Sequence, residues 1–245
     1  MKSVAGHQPN LYPYGGFFAK VASVDKFVIV DCVQYVKKEY HNRNRVKFFD
    51  STAKWLSIPV RNAGRYKQSI KDTEIDNSSD WRRIHMRTLE LNYGKAPFFY
   101  DFFPLVRGLL LSEWVKLSDY NIAFIREAMG YLGIKTSLSI ASEIGVGGEA
   151  KELIVEICRK TGAGTYLHGI HSLDYIDFHF LESNGINSLV QIFTPIPYPQ
   201  VKGEFIGNLS ILDIIFNCGA EETMRLLKAG SKIFEPDEAR NVVKS

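Results

Sequence analysis

Two apolar runs near the start of the chain, joined by a polar loop and a short helical pattern, constrain the fold more than any other feature. Residues 3–6 predict a strand, residues 16–23 an amphipathic helix, and residues 26–31 a second strand with the run Phe27-Val-Ile-Val30. Such a continuous apolar run is typical of a strand buried on both faces of a parallel sheet. The order strand, helix, buried strand therefore predicts a βαβ unit with a right-handed crossover.

The rest of the chain continues this alternation of strands and helices. Strands are predicted over residues 55–60, 136–141, 166–167 and 188–193, and helices over residues 79–94, 148–161 and 211–218. Residues 97–133 predict two or three further helices, with Ser118 or Asp119 as an N-cap. Ser210 is expected to cap the helix 211–218, which Gly219 ends. The sequence thus predicts one α/β domain over residues 1–245, with a mainly parallel sheet flanked by helices and a helical insert near the middle.

Composition excludes several classes of protein. The 245 residues carry a formal charge of +3, which is too small for a general nucleic-acid binder, so any anion recognition must be local. The three cysteines are far apart in sequence, which argues against a disulfide framework and a zinc knuckle. There is no apolar signal region, and the apolar run 105–111 is too short to cross a bilayer. We expect a cytoplasmic protein with no membrane insertion.

Polar side chains cluster in the loop that follows the first strand. His7, Gln8 and Asn10 stand at its carboxyl end, where open α/β sheets bind their ligands. Gly16 and Lys20 belong to the helix that follows, whose N-terminus suits a phosphate or carboxylate. The alternative is a buried turn in which these side chains only satisfy the backbone. The density of the cluster favours a binding role.

A basic segment follows the second predicted strand. Asp31 ends that strand, where a carboxylate is placed to bind a ribose, a metal or an amine. The loop after it is rich in amides and cations, which suit sugar hydroxyls and phosphates, respectively. The alternative is a solvated basic loop. The predicted binding residues of this segment are Gln34, Lys37, Asn42, Arg43, Asn44 and Arg45.

Two other groups of residues leave their roles open. One is a set of imidazoles and carboxylates that matches no established metal motif, so surface and capping roles are favoured and no metal is expected. Its members are His168, His171, Asp174, Asp177 and His179. The other is Asp213 with Asn217 on an otherwise apolar helix, where a buried charge needs a partner from the basic segment. A structural and a catalytic role for Asp213 are equally compatible with this pattern.

Taken together, these motifs resemble the WbqC-like protein family. The resemblance extends from about residue 4 to residue 219 and is specific as a combination, although each motif alone is weak. One departure is His168, which stands before Gly169 where the family pattern predicts a serine. The matching segments are residues 7–20, 31–35, 42–45, 93–99, 198–200 and 209–219.

The resemblance implies a role in surface-glycan synthesis, of the O-antigen and lipopolysaccharide type. It implies transfer of an acyl or aminoacyl group to an amino sugar. A more distant resemblance, at the level of the fold, is to the adenylyl-transferring superfamily that includes pantothenate synthetase. In those enzymes a second histidine holds the ATP phosphates, but here Phe17 or Lys20 stands at that place.

The resulting hypothesis is amide formation on a nucleotide-linked or carrier-linked amino sugar, with an acyl donor as second substrate. His7 is the general base, and Asp31 or Asp213 orients it or binds the substrate ammonium. Gln8 and Asn10 polarise the acyl carbonyl. Arg43, Arg45 and Lys37 hold phosphate, while Asn42, Asn44 and Gln34 bind the sugar.

Two alternatives remain at this stage. One is an ATP-dependent ligase or nucleotidyltransferase, with Lys20 and Lys37 on the phosphates. The other is a non-catalytic carrier-binding protein of a glycan assembly. The main hypothesis further predicts that one pocket gathers five side chains at the ends of the first two strands. These are His7, Asn10, Asp31, Arg43 and Asp213.

Overall fold

A computed structural model describes residues 1–65, 67–148 and 150–244 of the chain. Within these residues there is a main sheet of six strands and a separate two-stranded hairpin. The strands are β1 Ser3–His7, β2 Lys26–Ile29, β3 Arg43–Lys47, β4 Ala53–Ser57, β5 Ser137–Ile140, β6 Thr165–Gly169, β7 Asn187–Phe193 and β8 Ser231–Phe234. The α-helices are α1 Gly15–Ala22, α2 Trp81–Tyr93, α3 Phe99–Leu111, α4 Leu117–Tyr131, α5 Ala150–Thr161, α6 Phe178–Ser183, α7 Ile211–Gly230 and α8 Pro236–Lys244.

The main sheet has the strand order β5-β2-β1-β6-β7-β8. All neighbouring pairs from β5 to β7 are parallel, and β8 pairs with β7 in the antiparallel direction. The chain moves outward from β1 to β2 and β5, then returns to place β6 on the other side of β1. The order therefore reverses between β1 and β6. This switch point is where doubly wound sheets form a ligand crevice.

Helices cover both faces of the central strands, because alternate side chains of each strand point to opposite faces. Ala5, Phe27 and Ile29 join an apolar core shared with helices α1, α3, α4 and α7. Val4 and Val28 join a second core with side chains of α5 and α6. The continuous apolar run of β2 is thus buried on both sides, as a parallel strand requires.

The prediction of an α/β fold with a mainly parallel sheet is confirmed. The expected helical insert near the middle consists of α2, α3 and α4. The predicted helix 148–161 is observed as α5, although Glu149 lies outside the described residues. That residues 1–245 form a single domain stays a prediction.

Two local predictions are wrong. The basic segment is not a loop over residues 43–47 but strand β3, in which Asn44 and Val46 are buried while Arg43 and Arg45 are partly exposed. Its alternation of polar residues is the period of a strand. Helix α4 begins at Leu117, before the predicted caps, because the Leu117 N–H already donates to the Thr73 carbonyl oxygen at 2.9 Å.

Helix α7 is interrupted at Gly219, as the sequence predicts. The Ser210 side chain accepts the Leu212 N–H at the start of the helix. Gly219 has φ of 71°, in the left-handed region that favours glycine. A side chain at this position would also lie 2.8 Å from the Phe98 ring. The helix therefore changes direction here while staying packed against the insert.

Candidate functional site

A cleft of about 450 Å³ opens at the switch point, beyond the carboxyl ends of β1, β6 and β7. One side of it carries imidazole, ammonium and amide groups. The other side is apolar and comes from α5 and from the segments after β2 and β6. The polar side includes His7, Gln8, Lys20, His168, His171 and Gln191, and the apolar side includes Val30, Val33, Leu153, Ile154 and Ile176.

His7 stands in this cleft as a neutral imidazole with a defined tautomer. Its Nδ1–H donates to the Gln8 carbonyl oxygen at 2.9 Å, so Nε2 carries the free lone pair. The ring packs edge-on against Phe17, with 5.1 Å between centroids. Burial and the neighbouring Lys20 ammonium lower the pKa of His7 to about 3.

Lys20 is a buried cation, with 6% of its surface exposed. Among the described residues, its ammonium has no hydrogen-bond acceptor and no carboxylate partner. A Cβ atom at Gly169 would lie 3.8 Å from Nζ, so the ammonium reaches the end of β6. Burial lowers the pKa of Lys20 to about 8. An unpaired buried ammonium in a cleft is a site for an anionic group of a ligand.

His168 approaches the same ammonium from β6. Its Nε2 lies 3.3 Å from the Ser188 hydroxyl, and its ring lies between the rings of Tyr166 and Phe178. Burial, followed by the Lys20 charge, lowers the pKa of His168 to about 3. His7 and His168 come from the two strands that flank the switch point, so the structure places two neutral imidazoles beside one cation.

The segment between β1 and α1 is fastened by hydrogen bonds from distant parts of the chain. The His41 Nε2–H donates to the Gln8 side-chain oxygen at 2.7 Å. The Asn121 amide donates to the Pro9 carbonyl oxygen at 2.7 Å, and the Leu11 N–H donates to the Tyr40 carbonyl oxygen. Because its oxygen accepts from His41, the Gln8 side chain is held in a fixed orientation, and its role in polarising an acyl carbonyl stays a prediction.

The start of α1 is closely packed around its two glycines, and anion binding at Gly16 stays a prediction. A Cβ atom at Gly16 would lie 2.5 Å from the Tyr14 ring, and one at Gly15 would lie 2.8 Å from Leu227. The space beside both glycines is therefore filled by side chains. Gly16 is required for this packing, and the cation that faces the cleft is Lys20.

Asp31 does not join the cleft. Both of its carboxylate oxygens accept hydrogen bonds from Ser142, from the N–H at 3.0 Å and from the hydroxyl at 2.6 Å. The carboxylate thus ties the segment after β2 to the segment after β5. Asn10 is also absent from the cleft lining, and its side-chain oxygen is buried without a partner in the described part of the chain.

Asp213 holds a separate buried network. Its carboxylate accepts the hydroxyls of Tyr198 and Tyr93 at 2.7 and 2.8 Å and the Gln200 amide at 2.7 Å. The expected cation from the basic segment is Lys47, but it reaches Asp213 only through Gln200. The Lys47 ammonium donates to the Gln200 side-chain oxygen. Burial raises the pKa of Asp213. Asn217 donates to the Asp213 carbonyl oxygen one turn earlier in α7.

The amides of the basic segment are used within the protein. Asn44 donates to the Leu11 and Tyr12 carbonyl oxygens, and Asn42 accepts the Tyr35 hydroxyl while donating to the Ile58 carbonyl oxygen. These atoms are therefore engaged within the protein, and their contact with a sugar stays a prediction. The remaining predicted residues, Gln34 and Lys37, are exposed, and Gln34 forms a bridge with Ser69.

The structure does not gather the five side chains expected in one pocket. His7, Gln8 and Lys20 line the cleft, whereas Asn10, Asp31, Arg43 and Asp213 do not. Tyr14 and Gln191 line the cleft although no sequence pattern singles them out, and His168 and His171 line it although the sequence favours surface and capping roles for them. These residues can be identified only once the strand order is known, because the order decides which strand ends lie side by side.

Asp177 and His179 have the capping and surface roles that the sequence favours. Asp177 accepts the Phe180 N–H at 3.0 Å and caps α6, and His179 is exposed. In residues 1–65, 67–148 and 150–244, no group of three or more candidate ligands is arranged to hold a metal. None of the described helices combines the length and the apolar character needed to cross a membrane.

Comparison with known proteins agrees with this arrangement of motifs. A model of the WbqC-like protein family matches residues 8–225. The chain belongs to the WbqC-like family. It is 34% identical over 223 residues to the uncharacterized protein Rv1507c of Mycobacterium tuberculosis, and this alignment covers 90% of the chain and 96% of the relative. No solved structure matches the chain. The switch-point cleft described above is therefore a feature of a WbqC-like protein.

Proposed function

We propose that this WbqC-like protein is a transferase that forms an amide on an activated amino sugar during surface-glycan synthesis. The acceptor is the amine of a nucleotide-linked or carrier-linked sugar, and the donor is an acyl or aminoacyl group on a good leaving group. The observation that carries the proposal is the pairing of a neutral His7, with its Nε2 lone pair free, and the unpaired Lys20 ammonium in one cleft. These groups meet the two needs of acyl transfer, which are a proton acceptor and charge stabilisation.

The proposed reaction needs no redox step. The neutral amine attacks the acyl carbon, a C–N bond forms, and the negative charge that develops on the carbonyl oxygen is stabilised by the Lys20 ammonium. His7 Nε2 takes the proton lost by the amine. As the bond to the leaving group breaks, His7 returns that proton to the leaving group. The products are the amide and the protonated leaving group.

Charge that develops on the reacting carbonyl would also strengthen the base. The Lys20 charge is the second cause of the low pKa of His7, after burial. The oxyanion that forms beside Lys20 offsets that charge and so raises the pKa of His7 toward its ordinary value. The general base would then be strongest while the amide bond forms.

The decisive test replaces His7. In His7→Asn, the amide nitrogen retains the hydrogen bond to the Gln8 carbonyl oxygen, but no proton acceptor remains. We expect turnover to fall by roughly 10²–10⁴, the usual contribution of a positioned acid–base group, while the melting temperature changes little. Amide formation is measured by mass spectrometry with nucleotide-linked amino sugars and acyl thioesters. His179→Asn is the matched control, since His179 is exposed on α6.

Full activity of a folded His7→Asn protein would contradict the role of His7. A stable wild-type protein that shows no turnover with any donor, but retains a partner in pull-down, would favour the non-catalytic carrier-binding alternative.

A second candidate function is adenylyl transfer from ATP. It is favoured by the position of the cleft at the switch point of a parallel sheet, with a cation from the first helix. In this alternative the acyl group is first joined to AMP, and pyrophosphate leaves. Exchange of labelled pyrophosphate into ATP in the presence of the acyl acid and magnesium separates the two functions, because only the second candidate predicts exchange.

A further inference from the structure

The outer face of the β3–β4 hairpin carries two arginines and a tryptophan on the same side. Arg45 pairs directly with Trp55 across the hairpin. Arg43 lies two residues earlier on β3 and therefore on the same face. The Arg43 guanidinium lies over the Trp55 ring, 4.1 Å from its centroid. The opposite face, with Asn44 and Leu56, packs inward. We call the outward set, together with Tyr40, the hairpin platform.

The arginines of the platform have unused hydrogen-bond donors. The Nε atoms of Arg43 and Arg45 are buried and have no partner in the described chain. The Arg43 Nη2 donates to the Lys38 carbonyl oxygen, which fixes this guanidinium in place. The Arg45 guanidinium has no acceptor and no carboxylate partner among the residues described. A guanidinium carries five donors in a rigid fork, so the Nη groups that form no hydrogen bond within the described chain can bind an anionic group at the surface.

The aromatic part of the platform is exposed. Tyr40 and Trp55 are 39% and 43% exposed, and their rings lie 5.6 Å apart at an angle of 55°. Neighbouring aromatic rings at a protein surface bind flat groups by stacking, as protein sites do with nucleobases. Arg43 and Arg45 are two residues apart on a strand, or about 7 Å, so both forks can converge on one diphosphate.

The hairpin platform adjoins the cleft. Tyr14 lines the cleft and forms an isolated bridge with Ser210, whose N–H donates to the Arg45 carbonyl oxygen at 2.9 Å. Strand-like neighbours lie just under 5 Å apart, at about 4.8 Å, so these two contacts place the backbones of Tyr14 and Arg45 about 10 Å from each other. The Tyr40 phenol also contributes to the raised pKa of Tyr14, after burial, which places the two phenols near each other.

We infer that the hairpin platform binds the nucleoside diphosphate portion of the substrate. The base stacks on Tyr40 and Trp55, the diphosphate lies on Arg43 and Arg45, and the attached sugar extends past Tyr14 toward the cleft. This inference rests on the proposed function only for the sugar, since nucleotide binding itself needs no turnover. An RNA strand is disfavoured, because two arginines and a net charge of +3 do not form an extended basic track.

Calorimetric titration with UDP, uridine and inorganic pyrophosphate tests the inference. Arg45→Gln is expected to weaken the affinity for UDP and for pyrophosphate about tenfold to a hundredfold, the range for a lost charged hydrogen bond. Trp55→Ala should weaken the affinity for UDP but change the affinity for pyrophosphate by no more than about twofold, because only the base stacks on the ring. Trp55→Phe retains a ring and should recover part of the UDP affinity. Arg82→Gln is the control, since Arg82 also lies over a tryptophan ring but on α2.

Several outcomes overturn the inference. Wild-type affinity for UDP in both folded Arg45→Gln and Trp55→Ala would do so, as would failure of the wild-type protein to bind UDP and GDP. Binding of a single-stranded RNA octamer that depends on these residues, without UDP binding, would assign the surface to RNA. If His7→Asn loses turnover while the hairpin variants bind normally, the proposed function survives without this inference. If instead His7→Asn keeps full turnover while the hairpin variants lose UDP affinity, nucleotide binding is supported and the role of His7 is rejected.

Discussion

Lys20 is a cation that the folded protein holds at a cost. Burial without a partner lowers the pKa of Lys20 from 10.5 to about 8. At about 1.4 kcal/mol for each pKa unit, this corresponds to about 3 kcal/mol of lost folding stability at neutral pH. A residue that destabilises the fold to this extent is typical of a functional site, where residues needed for activity often lower stability.

Replacing this cation by an apolar side chain of similar shape should therefore stabilise the protein. We expect Lys20→Met to raise the free energy of unfolding at pH 7 by up to about 3 kcal/mol. It should also abolish turnover, because the charge that binds the anion is gone. Between pH 8 and 10.5 the unfolded wild-type chain binds more protons than the folded one, so wild-type stability rises and the difference narrows. Urea unfolding at several pH values measures both effects.

Lys228→Met on α7 is the control, because Lys228 is exposed and its replacement should change neither stability nor activity. A Lys20→Met protein that is less stable than the wild type would mean that the ammonium has a stabilising partner. Retained turnover in this variant would remove Lys20 from the proposed site.

At the scale of elements, Asp213 joins four parts of the chain. Helix α7 supplies the carboxylate, α2 supplies Tyr93, the segment before α7 supplies Tyr198 and Gln200, and β3 supplies the Lys47 N–H to the Tyr93 hydroxyl. Tyr93 and Lys47 are buried, Tyr198 and Gln200 are partly buried, and each donor has its acceptor. This network therefore fixes the hairpin against the insert and does not itself face the cleft.

Loss of the carboxylate removes the acceptor of the Tyr93 and Tyr198 hydroxyls and one of the acceptors of the Gln200 amide. We expect Asp213→Ala to lower the free energy of unfolding by about 2–4 kcal/mol, given about 1–3 kcal/mol for each unsatisfied buried group and partial rescue by water. Tyr93→Phe and Tyr198→Phe should each cost less, and their double variant should depart from additivity because they share one acceptor. Chemical unfolding measures all four, with the exposed Asp237→Ala as control. Unchanged stability of Asp213→Ala would contradict the structural role.

Patterns within single elements were predictable, and pairings between distant elements were not. The apolar run of β2 predicts its burial, and Ser210 and Gly219 predict the limits of the first part of α7. The convergence of His7 with His168 depends on β6 lying beside β1, and no local pattern encodes that neighbour. The basic segment is predicted as a loop because Asn44 is polar. In the structure Asn44 points inward, since its amide donates to two buried carbonyl oxygens.

At the scale of the whole molecule, three buried histidines and the partly buried His7 contribute to the response to acid. Burial lowers the pKa of His7 and His168 to about 3 and that of His41 and His85 to about 4. Above pH 6.5 these groups are neutral in both states. As the pH falls from 6.5 toward 4, the unfolded chain gains protons that the folded chain does not, so the folded state loses stability.

We expect the free energy of unfolding to fall by up to about 1.4 kcal/mol per pH unit for each of these histidines in that range. His85→Gln should remove one of the four contributions. It lowers stability at pH 7, since His85 bonds the Tyr12 hydroxyl and the Ser57 carbonyl oxygen, but the slope of stability against pH becomes smaller. Urea unfolding between pH 7.5 and 5 gives the slopes. His179→Gln is the control, and an unchanged slope in His85→Gln would contradict the assignment.

The fastening of the segment between β1 and α1 has a consequence for biosynthesis. The Gln8 side chain, the Pro9 carbonyl oxygen and the Leu11 N–H are paired by His41, Asn121 and the Tyr40 carbonyl oxygen, respectively, all of which leave the ribosome after the segment itself. Until Asn121 has emerged, the Pro9 carbonyl oxygen must remain solvated, because a buried unpaired backbone group is too costly. The cleft therefore cannot form on a nascent chain from the first βαβ unit alone. Its assembly waits for the helical insert, and then for β6, which brings His168.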